Sequence, residues 1–287
     1  MIDIDTFAII GGDQRQIAMA ESILDDGYKV NAVGFEKTEL KKGIIKTDMD
    51  NAIKKSKYII LPLPAVTKNN CLNAPYAEFE IKVNDDFARK MYEKKVFCGM
   101  DSKLKLTSDI WNNIDLRDYS KKEEFAIKNA VPTAEGAIEI AMHEYGGTIN
   151  GSRCLVVGYG RIGKILSSML KGIGANVTVS ARKSEDLVWI KIFGYNTILT
   201  RKISSNHNFD IIFNTVPALI FDELVLKNVA QNSIIIDLAS MPGGVDFEAA
   251  ERLKIKTIQA LGLPGKVAPK TAGEIIKNTI YNMIEEE

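Results

Sequence analysis

Apolar runs recur along the chain at regular intervals. TFAII (6–10), KVNAVGF (29–35), KYIILPL (57–63) and KVFCGM (95–100) are rich in Val, Ile, Phe and Tyr. Each closes on Gly, Pro or a polar cluster, and the stretches between them carry helical spacing. The series then repeats as RCLVVGYG (153–160), NVTVSA (176–181), YNTIL (195–199), FDIIFNTVP (209–217), SIIIDLAS (233–240) and IKTIQALGLP (255–264). Strand and helix in alternation predict parallel α/β sheets, and the doubled series predicts two such domains, residues 1–130 and 131–269.

Between them, NAVPTAEGAIEIAMHEYGGTING predicts a long linking helix over 132–145. Pro132 suits its first turn, Thr133 and Glu135 its N-terminal end, and Gly146 and Gly147 its stop. A helix so placed is expected to form one side of an interdomain cleft. The last segment, KTAGEIIKNTIYNMIEEE, reads as an amphipathic helix over 270–287 that packs back on the first domain.

Composition narrows the function classes. Of 287 residues 46% are hydrophobic and 26% charged, with a formal net charge of zero, so no electrostatic footprint points to nucleic acid or an anionic membrane. No apolar run approaches the ~20 residues of a membrane-spanning helix. MIDIDTFAIIGG is acidic and runs straight into a strand, unlike a secretory leader, so a cytoplasmic setting is expected. Cys71, Cys98 and Cys154 form no C-x-x-C pair and read as small hydrophobes, neither catalytic nor metal ligands. His143 and His207 complete no Ser-His-Asp set and no H-E-x-x-H site, which leaves them structural or surface roles and the chain without an expected metal.

The candidate chemistry centres on VVGYGRIGK, where Gly158, Gly160 and Gly163 have G-x-G-x-x-G spacing directly after a strand and before a helix. In a Rossmann βαβ unit these glycines give the sharp turn, the close approach to a pyrophosphate and tight helix–strand packing. The helix amides, beginning beside Tyr159, Arg161 and Ile162, then face the phosphates. The fold expected is therefore two Rossmann-like parallel-sheet domains in series, joined by a long interdomain helix. An NAD site places Asp or Glu at the tip of the second strand; here stand Ser180, Ala181 and Arg182. A hydroxyl and a guanidinium suit the 2′-phosphate of NADP. A solvated Arg182, with Glu185 or Asp186 reaching the ribose, is the alternative. Asn214, Thr215, Val216 and Pro217, with Ala239 and Gly262, end later strands at the same edge and are expected beside the cofactor. The run Gly262–Pro269 is read as a rigid loop whose Lys266 either meets a substrate carboxylate or is a surface lysine.

The first domain copies the strand–turn–helix layout but breaks the fingerprint. Counted from Gly11, the second and third glycine positions hold Asp13 and Gln16. A second dinucleotide is not expected despite Glu36. Gly11 and Gly12 are read instead as bringing the backbone to a small anion, with Arg15 as a carboxylate clamp or, alternatively, an exposed helix residue. Asp101 and Ser102 follow a strand at the same edge.

Taken in order, GGDQRQ, LPLP, NAVPTAEGAIEIAM, VVGYGRIGK, NTVP and GLPGKVAPKTAG resemble the A subunit of bacterial dipicolinate synthase over essentially the full length. The resemblance implies an NADP-linked step of sporulation on a branch of the lysine pathway. Dihydrodipicolinate, formed from a hydroxy-tetrahydro precursor, is oxidised to pyridine-2,6-dicarboxylate. The partner so implied, in a homo- or hetero-oligomer, is a flavoprotein-like B subunit. For that small dicarboxylate, Gly12, Arg15, Gln16, Ser102 and Thr133 are the expected binding residues; Lys266 is added as a catalytic candidate, with Asp13 and Glu135 as candidate proton acceptors. Two other readings stay open: a two-domain NAD(P)-dependent 2-hydroxyacid or amino-acid dehydrogenase, and a non-catalytic NADP-sensing subunit.

Overall fold

The computed structural model describes residues 5–205 and 208–286, so His207 lies outside the described residues. The chain divides into two compact units, one running to Lys128 and resuming at Ala268, the other Asn129–Val267.

The first unit holds β1 (Thr6–Ile10), β2 (Lys29–Val33), β3 (Ile45–Lys46), β4 (Tyr58–Ile60), β5 (Lys95–Cys98) and β6 (Asp115–Asp118) in one parallel sheet. Their order is β3-β2-β1-β4-β5-β6. The helices are α1 (Gln14–Asp25), α2 (Met49–Lys55), α3 (Asp85–Arg89), α4 (Asp101–Lys105) and the start of α5 (Glu123–Glu144). The second unit holds β7 (Arg153–Val157), β8 (Asn176–Ala181), β9 (Asn196–Leu199), β10 (Ile211–Asn214), β11 (Ile234–Asp237) and β12 (Lys256–Gln259). Here the order is β12-β11-β10-β7-β8-β9, with α6 (Arg161–Gly172), α7 (Ser184–Ile192), α8 (Glu223–Leu226), α9 (Phe247–Arg252) and α10 (Leu263–Val267). Helix α11 (Pro269–Glu285) belongs to the first unit. Numbered within its own unit each sheet reads 3-2-1-4-5-6, the Rossmann order, which reverses direction beside the first strand.

The inner strands of each sheet are covered on both faces, which is why they read as unbroken apolar runs. Side chains leave a strand alternately up and down. Cys154 and Val156 of β7 thus join one core with Leu166, Leu170 and Ala137, while Leu155 and Val157 join the opposite core with Phe221 and Ala249. Likewise Ala8 and Ile10 of β1 face Phe87 and Trp111, and Phe7 and Ile9 face Ile17, Ile23 and Ile276.

Helix α11 lies against α1 within the first unit. The two helices approach so closely that a Cβ on Gly273 would stand 2.4 Å from the Arg15 carbonyl oxygen and 2.8 Å from the Met19 amide nitrogen. Lys277, buried on the same face, pairs with Asp26 at 2.7 Å, and the Tyr281 hydroxyl donates to that carboxylate at 3.0 Å. Gly273→Ala drives a methyl into backbone that has no rotamer to yield. The expected cost is about 1–3 kcal/mol, a melting temperature lower by roughly 2–4 °C per kcal/mol. An unchanged melting temperature would show that the helices are not in this contact.

The structure differs from two of the sequence expectations and adds two strands. The linking helix starts at Glu123, not 132, so Pro132 sits inside it. Glu123 and Glu124 complement the helix dipole at the true N-terminus, and a proline nine residues on is tolerated at the loss of one hydrogen bond. Thr133 is therefore mid-helix, its Oγ1 donating to the Asn129 carbonyl at 2.8 Å. The expected rigid loop after Gly262 is instead the single helical turn α10, with Leu263 and Pro264 buried. Finally, β3 and β6 were not anticipated: one has two exposed residues, and the other, DLRD, carries two carboxylates in an edge strand.

Candidate dinucleotide site

Gly158 follows β7 at φ +99°, a left-handed conformation that a side chain resists. The turn is tied down on both flanks: the Gly158 amide donates to the Ser180 carbonyl at 3.0 Å, and the Thr215 amide and hydroxyl donate to the Val157 carbonyl at 3.0 and 2.8 Å. Helix α6 then starts against it, close enough that a Cβ on Gly163 would lie 2.1 Å from the Gly158 oxygen. Gly160, the N-cap, is different. No side chain caps the helix there, and a Cβ on Gly160 would meet nothing within 4 Å. The first turn of a twelve-residue helix thus presents uncapped amides to open space, the donor set that a pyrophosphate requires.

That space is a groove of about 320 Å³ at the carboxyl ends of β7, β8 and β10. Of the expected cofactor residues, Gly158, Tyr159, Gly160, Ala181, Arg182, Thr215, Val216 and Pro217 line it. Lys183, Asp186 and Thr200 line it too. The dipeptide Arg182–Lys183 gives the groove two cations; Lys183 lies 3.8 Å from Glu185, and Arg182 has no carboxylate partner among the described residues. Lys183 and Thr200 went unread in the sequence. The signal for Lys183 was its place beside Arg182 at the tip of β8, whereas Thr200 is brought in only by the sheet.

Several expected cofactor residues support the groove without lining it. Ser180 is fully buried, its hydroxyl accepting from Thr200 at 3.4 Å, so the predicted hydroxyl contact to a 2′-phosphate is corrected. Asn214 is also fully buried: its Nδ2 donates to Asp237 at 2.8 Å and to the Val216 carbonyl at 3.0 Å, and its Oδ1 accepts from the Val216 amide at 3.2 Å. Asp237 in turn accepts from the Ala239 and Gly244 amides, and Ala239 is buried. This Asn–Asp pair, side by side in register on β10 and β11, shapes the 215–217 loop. Ile162 packs on the core, Arg161 is exposed on the first turn of α6, and Gly262 stands exposed at φ +67°.

The first unit answers the same local geometry differently. Asp13 caps α1, its carboxylate accepting from the Arg15 amide at 3.0 Å, while Gln16 Oε1 accepts from the Asp13 amide at 3.0 Å. Gly11 and Gly12 donate to the Val33 and Asn73 carbonyls. The expected anion cradle is thus filled by the protein itself. Arg15 does act as a carboxylate clamp, but on Asp13, at 2.7–3.2 Å, and it also donates to the Leu63 carbonyl. With its cap replaced by a carboxylate, α1 repels the phosphate that α6 is open to receive.

A family model described as the N-terminal domain of the dipicolinate synthase A subunit matches residues 6–109. The A subunit of dipicolinate synthase from Bacillus subtilis (strain 168) is 32% identical over 283 residues, covering 97% of this chain and 95% of its own. The chain belongs to the family of dipicolinate synthase A subunits. The crystal structure of the dipicolinate synthase A subunit from Bacillus halodurans matches it at a TM-score of 0.90 and 30% identity, with both chains covered in full. A transhydrogenase from Sinorhizobium meliloti shares the fold, at a TM-score of 0.69 and 13% identity over 98% of this chain and 93% of its own.

In this member of the dipicolinate synthase family the remaining candidates do not line the groove at Gly160. Ser102 is exposed on α4, next to a buried Asp101 that pairs with Lys105 at 3.0 Å and Lys121 at 2.5 Å. Lys266 is exposed on α10, and Glu135 is exposed on α5, lining a different groove from the one at Gly160. His143 is exposed beside Glu144. All three cysteines are free and buried; burial pushes the Cys154 thiol up to about 11 and the Cys98 thiol higher still, which keeps both in the unreactive form. Among the described residues no His, Cys, Asp and Glu side chains gather into a metal-holding group, and no helix is long and apolar enough to cross a membrane.

Proposed function

We propose that this member of the dipicolinate synthase family is an NADP-dependent oxidoreductase that forms pyridine-2,6-dicarboxylate from dihydrodipicolinate or its hydroxy-tetrahydro precursor. The observation that carries the reading is the uncapped turn at Gly160, open where the corresponding turn at Asp13 is closed. The donor set fits the cofactor: the α6 amides hold the pyrophosphate, and Arg182 and Lys183 hold the 2′-phosphate as charge-assisted pairs. Asp186 lines the same groove.

NADP, when bound, accepts the hydride. The substrate ring gains aromaticity as it loses two hydrogens, so the protein has little need of a strong acid or base and acts mainly by positioning. That agrees with a groove lined by no histidine among the described residues and with an Asp13 carboxylate committed to α1 and Arg15. Lys266, exposed and without an ion-pair partner among the described residues, is the group offered to a substrate carboxylate. A second, B subunit in a cytoplasmic, spore-forming setting belongs to the same proposal.

The test supplies the purified chain, alone and with a candidate B subunit, with NADP and dihydrodipicolinate generated by the lysine-pathway synthase. Pyridine-2,6-dicarboxylate and NADPH are expected to appear in equal amounts. Product formed equally fast without the chain, or turnover of lactate- or alanine-like substrates in its place, would overturn the proposal.

A further inference from the structure

Helix α7, SEDLVWIKI, carries Leu187, Val188, Trp189, Ile190 and Ile192, of which only Ile190 is fully buried. Val188, Trp189, Ile192 and the following Phe193 are 58%, 53%, 66% and 54% exposed, and Trp189 and Phe193 stack with ring centroids 5.9 Å apart. A helix of this composition is ordinarily covered, and a contiguous exposed apolar patch marks an interaction surface. With α6 it borders a groove of about 410 Å³ that also takes in Tyr159, Tyr195 and Lys164. Cations sit on these rings: Lys164 lies 5.3 Å from the Tyr159 centroid and Lys171 5.1 Å from that of Tyr195.

The opposite flank of α6 carries the complementary surface. There α5 and α6 border a groove of about 700 Å³ floored by Ile138, Met142 and Met169, with Met142 57% exposed. Its rim is acidic, formed by Glu135 and Glu139, which have no cation partner among the described residues. Helices α5, α6 and α7 contribute to one core on the same face of the second sheet, so the two grooves lie side by side, one basic and aromatic, the other acidic and lined by methionine.

We propose that this face is the contact between two copies of the chain. Trp189 and Phe193 of each copy enter the methionine-lined groove of the other, and Lys164 and Lys171 meet Glu135 and Glu139. Because both grooves flank α6, a single twofold axis running along that helix makes both contacts at once, as a self-complementary interface requires.

The full-length chain is studied by sedimentation equilibrium and by tryptophan fluorescence. The wild type is expected at twice the 31.8 kDa chain mass, and Trp189→Glu with Phe193→Glu at the mass of one chain. Trp111 is 1% exposed and serves as the constant emitter, so dilution of the wild type is expected to red-shift the Trp189 contribution alone. Lys164→Glu with Lys171→Glu is expected to dissociate the dimer, and adding Glu135→Lys with Glu139→Lys to restore it. A monomeric wild type, a dimer that survives the aromatic substitutions, or a charge reversal that fails to restore association would each overturn the proposal.

Discussion

Gly160→Ala is expected to leave the fold unchanged and to weaken nucleotide binding, whereas Gly163→Ala is expected to damage both. At Gly160 the backbone has φ −84°, which alanine adopts freely, and the added methyl touches no protein atom. It enters the open space at the start of α6, on the groove that Gly160 lines. Lengthening the hydrogen bonds of the α6 amides by a methyl radius forfeits much of their charge-assisted strength, each worth about 1.5–3 kcal/mol, so affinity falls roughly ten- to a hundredfold. At Gly163 the methyl meets the Gly158 oxygen at 2.1 Å, and α6 has to move off the strand that carries the turn. That costs about 1–3 kcal/mol of stability and displaces the amides together with the helix. Calorimetric titration beside thermal melts of the two variants separates the effects. Equal affinity in the Gly160→Ala variant and the wild type would mean that nothing binds at this turn.

The second large effect concerns which nucleotide is held. Arg182→Ala removes an exposed guanidinium that faces the groove and has no carboxylate partner among the described residues, so its loss leaves no buried charge unpaired. Only a ligand with a phosphate at that corner notices. NADP affinity is expected to fall about tenfold to a hundredfold, the ratio for one lost charge-assisted pair, while NAD affinity stays within about twofold, since no comparable pair is lost. Lys183→Ala is expected to follow in the same direction with a smaller effect, because an ammonium makes a point contact where a guanidinium makes two. Equal losses for NADP and NAD would place Arg182 outside the phosphate contact and assign the ribose to Asp186.

Legibility in the sequence followed the strength of local signals. The six strands of the second unit and four of the first announced themselves as runs rich in Val, Ile, Phe and Tyr, most plainly the inner strands, whose two faces are both covered. The edge strands β3 and β6, half solvated, had no such pattern to show. The glycine pattern was readable because a left-handed turn at 158 and close helix–strand approach at 163 demand glycine, with open space kept in front of 160, and so was the break of that pattern at Asp13 and Gln16. What those two residues do instead was not readable: a capping box needs the helix start fixed to the residue, and Arg15 closing on Asp13 is a side-chain choice. Ser180 and Asn214 stood at the right strand ends but face inward. Alternation along β8 and β10 decides that, and a shift of one residue in register reverses it. Pro132 carries the signal of a helix start although it lies inside the linking helix, whose true first turn is marked by Glu123 and Glu124.

The central claim is that one of two look-alike turns takes a dinucleotide and the other is closed by its own aspartate. Isothermal titration of the intact chain with NADP, giving stoichiometry directly, tests it most squarely. One equivalent per chain is predicted, with binding weakened by Gly160→Ala and unaffected by Asp13→Asn. Two equivalents, none, or a site that disappears with the Asp13 substitution would contradict the account.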